Sequence, residues 1–159
     1  MPKVKRSEIK TFLNTGTTVT PTWSLLGDGI VSAAINYNPQ TSDETYIHED
    51  SGTVEVESYK PNMPIEATAV NTDAAFEFID NLRKTRAVLD AAHAEIVNVW
   101  LYETPTTGAY PAERQTVSIQ IDDFGGEGGQ AAKINFTINY LGDPVAGTFN
   151  PTTLAFTAS

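Results

Sequence analysis

The chain has 159 residues, a length typical of one domain. It contains no cysteine, which excludes a disulfide framework, a thiolate metal site and a cysteine nucleophile. Its 20 acidic and 10 basic residues give a formal net charge of −10, which disfavours a grip on nucleic acid because phosphate binding requires clustered Lys and Arg. The first residues lack the apolar run of a signal peptide, and no segment has the ~20 apolar residues of a membrane helix, so we expect no membrane insertion.

The charge is unevenly distributed along the chain. Residues 1–10 carry four basic residues against one acidic residue, a balance of +3, and the rest of the chain therefore carries −13. The basic residues are Lys3, Lys5, Arg6 and Lys10. We predict a basic N-terminal arm over residues 1–12, followed by a single domain over residues 13–159. A basic arm on an acidic body is suited to docking on a neighbouring copy, and a loose solvated terminus is the alternative.

The first half of the chain is predicted to be mainly β-strand. Strands are expected at 9–14, 30–38, 44–48 and 53–60, with a short one around 65–70. The Asp28-Gly29 pair is typical of a turn. Pro61 and Pro64 favour an edge or a bend over a central strand.

One helix is predicted near residues 73–86, in the segment TDAAFEFIDNLRKTR. Thr72 or Asp73 is suited to accept from the free backbone N–H groups at its start, and Asp80 is spaced to pair with Lys84. Apolar residues recur at the spacing of a buried helical stripe: Ala75, Phe78, Ile79 and Leu82. The helix is expected to continue through AVLDAAHA, residues 87–94.

Three further strands are predicted in the second half, over 95–103, 115–124 and 133–140, with the GGEGG segment as a hairpin loop between the last two. The last two strands alternate cleanly between apolar and polar residues, which is typical of antiparallel strands with one packed face and one wet face. Their wet faces comprise Ser118, Gln120 and Asp122 on one strand and Asn135, Thr137 and Asn139 on the other. Many strands and one helix predict an antiparallel β-sandwich or barrel with a flanking α-helix.

Two clusters of polar residues are candidates for a chemical site. His48, Glu49 and Asp50 suggest a metal site, but neighbouring strand residues point to opposite faces, so a polar strand end before a turn is the favoured interpretation. Glu55 and Glu57 share a face, as the acid and base of a glycosidase would, but a half-exposed strand is the commoner cause of this pattern. With no nucleophile–base pair evident, the residues predict a protein that is not an enzyme and holds no cofactor or metal.

A family resemblance follows from the order of several segments. VNVWLYE, YPAERQTVSIQIDDFGGEGG and INYLGDPVAGTFNP resemble the major tail tube proteins of long-tailed, non-contractile (siphovirus-type) phages of Gram-positive hosts. Earlier segments agree: WSLLGDGI, ETYIHEDSGTVEVESYKPNMP and AFEFIDNL. The resemblance covers roughly residues 20–156, and no single segment is diagnostic without the others.

The resemblance implies a virion protein with a tail-tube-type fold. Six copies would form a ring whose strands close an inner barrel, and stacked rings would form a channel through which double-stranded DNA passes without specific binding. Implied partners are a tape-measure protein and tail terminator and initiator proteins, with assembly in the host cytoplasm. Candidate lumen-facing residues are the six polar residues of 118–122 and 135–139 named above, together with Glu55 and Glu57. Candidate inter-ring contacts are Lys3, Lys5, Arg6 and Lys10.

Two other functions remain open from the sequence. A carbohydrate-binding β-sandwich is the alternative from a different class, since sugars stack on exposed aromatic faces; its candidate residues are Trp23, Tyr46, Trp100 and Tyr110. A tube subunit of a phage-tail-like bacteriocin, or of a prophage remnant, would carry the same sequence features as a phage tail tube.

Overall fold

The structure is a computed structural model that describes residues 2–159. It contains ten strands and one α-helix within those residues. The elements are β1 (Ile9–Asn14), β2 (Trp23–Leu25), β3 (Ile30–Ala33), β4 (Pro39–Glu44), β5 (Thr53–Tyr59), β6 (Asn62–Thr68), α1 (Ala74–Thr85), β7 (His93–Trp100), β8 (Tyr110–Gly125), β9 (Lys133–Asn150) and β10 (Ala155–Ala158).

Eight strands form one antiparallel sheet in the order β2-β1-β7-β8-β9-β6-β3, with β10 also paired to β9. The first half of β9 pairs with β6 and its last residues pair with β10, so one edge of this long strand has two successive partners while the other edge pairs with β8. The sheet curls into a half-barrel. Strands β4 and β5 pair only with each other and form a separate hairpin, which we call the β4–β5 hairpin. The predicted mainly β fold with one flanking helix is confirmed.

Both faces of the central strands are buried. Phe12 and Leu13 are adjacent in β1 and both are almost inaccessible to solvent, although neighbouring strand residues point to opposite faces. Leu13 belongs to a core cluster that includes α1 and strands β6 to β9. Phe12 belongs to a second cluster with Trp23 and Phe149, whose ring centroid lies 4.6 Å from that of Phe12. The two clusters explain why β1 and β7 contain continuous buried runs instead of alternation.

Helix α1 covers the first cluster as its apolar stripe predicts. Asp73 is the N-cap, and its side chain accepts a hydrogen bond from the backbone N–H of Phe76 at 3.1 Å. Asp80 lies 2.7 Å from Arg83 and 3.2 Å from Lys84, which confirms the predicted Asp80–Lys84 pair. The predicted extension through 87–94 is wrong. Arg86 adopts a left-handed conformation (φ 48°, ψ 52°) that ends the helix, and residues 89–92 form a short 3-10 turn before β7.

Several predicted strand boundaries differ from the structure. The strand expected at 44–48 is wrong: β4 occupies Pro39–Glu44, and the residues after it form the turn of the β4–β5 hairpin. The strand expected at 30–38 ends at Ala33, and the one expected at 95–103 ends at Trp100. Pro64 lies inside β6, but β3 pairs only with residues 65–67, so Pro64 has a strand partner only on the β9 side.

Strands β8 and β9 are far longer than predicted because a buried glutamine sustains their pairing. Pairing shifts between Arg114 and Thr116, where Gly142, Asp143 and Pro144 of β9 bulge out opposite the single β8 residue Gln115. The side-chain amide nitrogen of Gln115 lies 2.7 Å from the carbonyl oxygen of Leu141 and 3.2 Å from that of Gly142. This side chain satisfies carbonyls that the bulge removes from the ladder, so β9 resumes its pairing beyond the bulge.

Candidate functional site

The predicted wet residues of β8 and β9 lie together on one face of the sheet, opposite α1. Ser118 is opposite Asn139 and Gln120 is opposite Thr137 in the β8–β9 pairing. The carboxylate of Asp122 accepts from the Gln120 amide at 2.6 Å and from the Thr137 hydroxyl at 2.9 Å. All six predicted residues therefore form one continuous surface, which we call the polar face. The opposite side of these strands carries Val117, Ile119 and Ile138 of the core beneath α1.

A β-bulge doubles the number of carboxylates at one end of the polar face. Pairing shifts between Ile121 and Asp123, so Asp122 is the extra residue on β8. Asp123 then contacts the same face, since Asn135 donates to its carboxylate at 2.8 Å. Phe124 returns to the apolar side, where its ring lies 4.2 Å from the Arg83 guanidinium carbon of α1. The spacing of three residues from Ile121 to Phe124, where two is the rule in this strand, is the sequence signal of this bulge.

The polar face continues onto β6, which the sequence prediction missed. Glu66 is exposed and lies opposite Asn135 in the β6–β9 pairing. Met63, Ile65 and Ala67 alternate with it and are buried, so the alternation within NMPIEAT contained the signal. The face thus carries the three carboxylates of Glu66, Asp122 and Asp123, and Lys133 lies at its loop end. A surface with this balance repels a polyanion more than it attracts one.

Glu55 and Glu57 do not join the polar face. They lie on β5, in the β4–β5 hairpin, where every residue from Val54 to Tyr59 is exposed. The hairpin is separate from the eight-stranded sheet, and none of the described cavities is lined by either carboxylate. Exposed carboxylates on a free hairpin have no enclosed space in which a sugar ring could be held between an acid and a base.

The His48-Glu49-Asp50 segment lies at the tip of the same hairpin. Glu49 donates its backbone N–H to the Tyr46 carbonyl at 2.9 Å, which closes a turn where a strand was expected. The His48 ring stacks near that of Tyr46, with centroids 6.2 Å apart, and its Nε2 lies 3.7 Å from the Glu49 carboxylate. Within residues 2–159, no three potential metal-ligating side chains converge on one point.

The predicted basic arm divides into two parts. Residues 2–8 precede the sheet and include a 3-10 turn at Arg6–Glu8, whereas residues 9–12 belong to β1. Arg6 donates from Nη1 to the Ile9 carbonyl at 2.6 Å and from Nη2 to the Ala33 carbonyl at 3.1 Å. Lys10 lies within β1, opposite Val99, while Lys3 and Lys5 are exposed. The structure thus holds Arg6 and Lys10 close to the sheet.

The aromatic residues considered for sugar binding do not form an exposed platform. Trp23 is buried and packs edge-on against Phe149, with ring centroids 6.4 Å apart. Trp100 and Tyr110 are partly buried, and Tyr46 alone of the four is exposed. The expectation that Trp23 is exposed is wrong, because both faces of the sheet carry a core cluster at this end.

Two titratable groups near the middle of the sheet have shifted pKa values. Burial raises the pKa of Tyr140 to about 12, although its hydroxyl accepts from the Asn98 amide at 3.0 Å. Asn98 in turn accepts from the buried Thr11 hydroxyl at 2.7 Å. Burial also raises the pKa of the half-buried Glu113. The hydrogen-bonded chain of Tyr140, Asn98 and Thr11 links β9, β7 and β1. Each of these side chains thus finds a hydrogen-bond partner on the neighbouring strand or the strand beyond it.

The comparisons with known proteins identify the fold. No protein-family model and no curated protein matches the chain. A chain in the tail of an empty gene transfer agent (GTA) particle with C6 symmetry superposes with a TM-score of 0.65, at 14% identity, over 98% of this chain and 100% of that chain. A chain in the six-fold symmetrised baseplate of the anti-feeding prophage (AFP) gives a TM-score of 0.51, at 11% identity, over 92% and 95% of the two chains. The tail-type fold implied by the sequence resemblance is therefore confirmed.

No helix among residues 2–159 has both the length and the hydrophobicity needed to cross a membrane.

Proposed function

We propose that this chain is the tube subunit of a phage-type tail, a structural virion protein without enzymatic activity. Six copies form each ring, and stacked rings enclose the channel through which double-stranded DNA leaves the particle. The observation that carries this proposal is the end-to-end match of the fold to a chain from the tail of a C6-symmetric particle, with neither chain leaving a domain unmatched.

The polar face supports a role as the channel wall. It lies on the side of the sheet away from α1, and it runs along the two longest strands of the molecule. Its amide and hydroxyl groups donate to its own carboxylates, and no cluster of Lys and Arg lies among them. DNA-binding surfaces need such a cluster to displace counterions from phosphate. A wall of this composition lets DNA slide, and six copies repeat it around the channel.

The basic residues near the N-terminus are proposed to contact the next ring. Lys3, Lys5, Arg6 and Lys10 give residues 1–10 a balance of +3, whereas the rest of the chain carries −13. Rings stack by a heterologous contact, in which two different surfaces of the same chain meet, and opposite charge favours such a contact. Tape-measure, terminator and initiator proteins complete the assembly, which takes place in the host cytoplasm before the tail joins the virion.

A non-contractile phage of a Gram-positive host is the proposed source, on the strength of the sequence resemblance. A tube subunit of a tail-like particle is the second candidate, and the observation that favours it is that both structural neighbours come from particles described as a GTA and an anti-feeding prophage. The two candidates share the ring, the stacking and the channel. They differ in whether the finished particle carries the genome of a phage.

Electron microscopy of purified protein tests the assembly. We expect negatively stained rings or tubes with six-fold symmetry at high protein concentration, or when the chain is co-expressed with the tail initiator complex that nucleates tubes. A chain that stays monomeric at all salt concentrations, both alone and with the initiator, would contradict the proposal. Sequencing of any DNA packaged in purified particles then separates a phage, which carries its own genome, from a tail-like particle, which does not.

A further inference from the structure

A cleft of about 350 Å³ opens where the two edges of the curled sheet approach each other. Its lining comes from both edge strands, β2 and β3, and from β1 and β6. The apolar part of the lining consists of Ile9, Leu25, Leu26, Ile30, Met63 and Ile65. Val31, which is fully exposed, lies at the rim. The volume of the cleft is at the lower end of the range for ligand-binding clefts, roughly 300–1,000 Å³.

Two basic side chains line this cleft, and hydrogen bonds hold the guanidinium group of one of them in place. Arg6 and Lys10 both line the cleft. Main-chain carbonyls of Ile9 and Ala33 accept three hydrogen bonds from Arg6. Because a guanidinium has five N–H groups, two remain for an incoming group. Within residues 2–159 no carboxylate forms an ion pair with Arg6. The cleft therefore suits an occupant that has an apolar tip and acidic residues next to that tip.

The β4–β5 hairpin of this same chain has that composition. Residues 39–59 contain six acidic residues and no Lys or Arg. At the tip, Ile47 is fully exposed and Tyr46 is about half exposed, with Glu49 and Asp50 directly after them. Large apolar side chains that no part of the chain covers are typical of a contact surface. The tip does not line its own cleft.

We propose that the hairpin tip, residues 45–52, of one copy docks in the cleft of a second copy. Ile47 enters among the apolar side chains, while the carboxylates of Glu49 and Asp50 face Arg6 and Lys10. The inference rests on the proposed function in one respect, since it names the contact that joins successive copies. The occupant is a second copy because both complementary surfaces are present on every chain and carry opposite charge. Such a contact is heterologous, so it repeats from copy to copy without closing on itself as a dimer.

Disulfide trapping tests the contact directly because the chain has no cysteine of its own. An affinity-tagged Ile47→Cys variant is mixed with untagged Val31→Cys protein under assembly conditions and oxidised. A disulfide requires Cα atoms within about 7 Å, so the tagged–untagged product reports docking of the tip at the cleft. The matched control replaces Val31→Cys by Val88→Cys, a well-exposed valine that lies after α1 and outside this cleft. We expect at least tenfold more cross-linked product at position 31 than at position 88.

Charge changes test the polar half of the contact. Arg6→Glu is expected to reduce the Ile47–Val31 cross-link at least tenfold, as is 0.5 M salt, because screening acts over about 8 Å already at physiological ionic strength. Arg6→Glu also removes the hydrogen bonds to Ala33 within its own copy, so its effect alone could come from altered folding. An Ile47→Asp variant is therefore assayed beside it in a competition experiment. The Ile47 side chain is fully exposed, so this change leaves the fold intact, and the variant is expected to fail as a competitor of the cross-link where wild-type protein succeeds.

The outcomes separate this inference from the tube proposal. Tubes that form without the 47–31 cross-link, or with an equal 47–88 product, overturn the docking inference and leave the tube intact. The cross-link in protein that forms head-to-tail oligomers but neither rings nor tubes supports docking and overturns the proposed function. Absence of both the cross-link and the tubes overturns both.

Discussion

The guanidinium of Arg6 donates to the main-chain carbonyl of Ala33, at 3.1 Å from Nη2 and 3.3 Å from Nε, and so ties the turn before β1 to the edge strand β3. The two residues are 27 positions apart: Ala33 lies in β3, at one end of the sheet order, and Arg6 lies just before β1, the second strand from the other end. A single side chain therefore bridges the gap across the open side of the half-barrel. This role is internal to one copy, and two N–H groups of the same guanidinium remain available for a second copy.

Arg6→Ala is expected to lower the free energy of unfolding of the unassembled protein by about 1 kcal/mol, since water competes for these exposed hydrogen bonds. For a chain of this size that corresponds to a fall in Tm of about 2–4 °C. Thermal unfolding followed by circular dichroism measures it. Lys3→Ala is the control, because Lys3 is exposed and makes no such bridge. Equal effects of the two changes would show that charge near the N-terminus, and not the bridge to Ala33, matters for stability.

The sequence predicted best the elements whose packing repeats with a regular period. The alternation through Val117, Ile119 and Ile121 located β8 and both of its faces, because only one register packs all three side chains against the core. The helix stripe was correct for the same reason, and of the two predicted capping residues, Thr72 and Asp73, Asp73 is the N-cap. β4 has the sequence PQTSDE, with no apolar side chain beyond its proline, so it carries no periodic signal and its position was missed.

Other features depend on contacts between residues far apart in the chain. Gly142 has a positive φ of 67° and Pro144 follows it, which by local rules favours a turn. β9 nevertheless continues, because Gln115 reaches across from β8 to the carbonyls that the bulge exposes. Arg86 ends α1 in a left-handed conformation normally taken by glycine, so no residue type at this position signals the end of the helix.

Gln115→Leu is therefore expected to destabilise the protein by about 1–3 kcal/mol, because it leaves the partly buried carbonyls of Leu141 and Gly142 without their donor while keeping a side chain of similar size. Urea denaturation gives the change, and hydrogen exchange of residues 145–150 reports whether the far half of β9 loosens. Gln120→Leu is the matched control on the exposed side of β8, with an expected effect within about 0.5 kcal/mol. Similar losses from both variants would contradict the role assigned to Gln115.

The half-buried Glu113 predicts a pH dependence of opposite sign to that of a salt-bridged carboxylate. Burial raises its pKa in the folded protein above the unfolded value, so the protonated form is favoured by folding. Stability from this group is fully present below the unfolded pKa and is lost as pH rises through the folded pKa. Glu113→Gln should raise the free energy of unfolding at pH 7. It should have little effect at pH values below those at which a glutamate normally titrates.

Urea denaturation of both proteins between pH 3.5 and pH 7.5 checks this expectation. Glu127→Gln, in the exposed loop between β8 and β9, removes the same charge and serves as the control. A stabilisation of the Glu113→Gln variant that is independent of pH, or one matched by Glu127→Gln, would show that net charge and not the burial of Glu113 is responsible.

Asp122→Lys tests the polar face as the wall of a DNA channel. Asp122 accepts hydrogen bonds from Gln120 and Thr137, and its replacement puts a cation where three carboxylates now define the charge. In a ring of six copies the change recurs six times, and it recurs again in every ring of the tube. Each lysine adds a phosphate contact, so DNA that slides past the wild-type wall is held by the variant. We expect tails of normal appearance, slower DNA ejection and lower infectivity, with ejection recovering as salt is raised.

Two variants isolate the effect of position from that of charge. Glu77→Lys makes the same charge change on the exposed side of α1, away from the polar face, and is expected to leave ejection unchanged. Asp122→Asn removes the carboxylate charge but adds no cation, and we expect ejection close to that of the wild type because attraction to phosphate, and not loss of repulsion, slows the DNA. Ejection from Asp122→Lys particles at the rate of Glu77→Lys particles would show that this face of β8 and β9 does not meet the DNA.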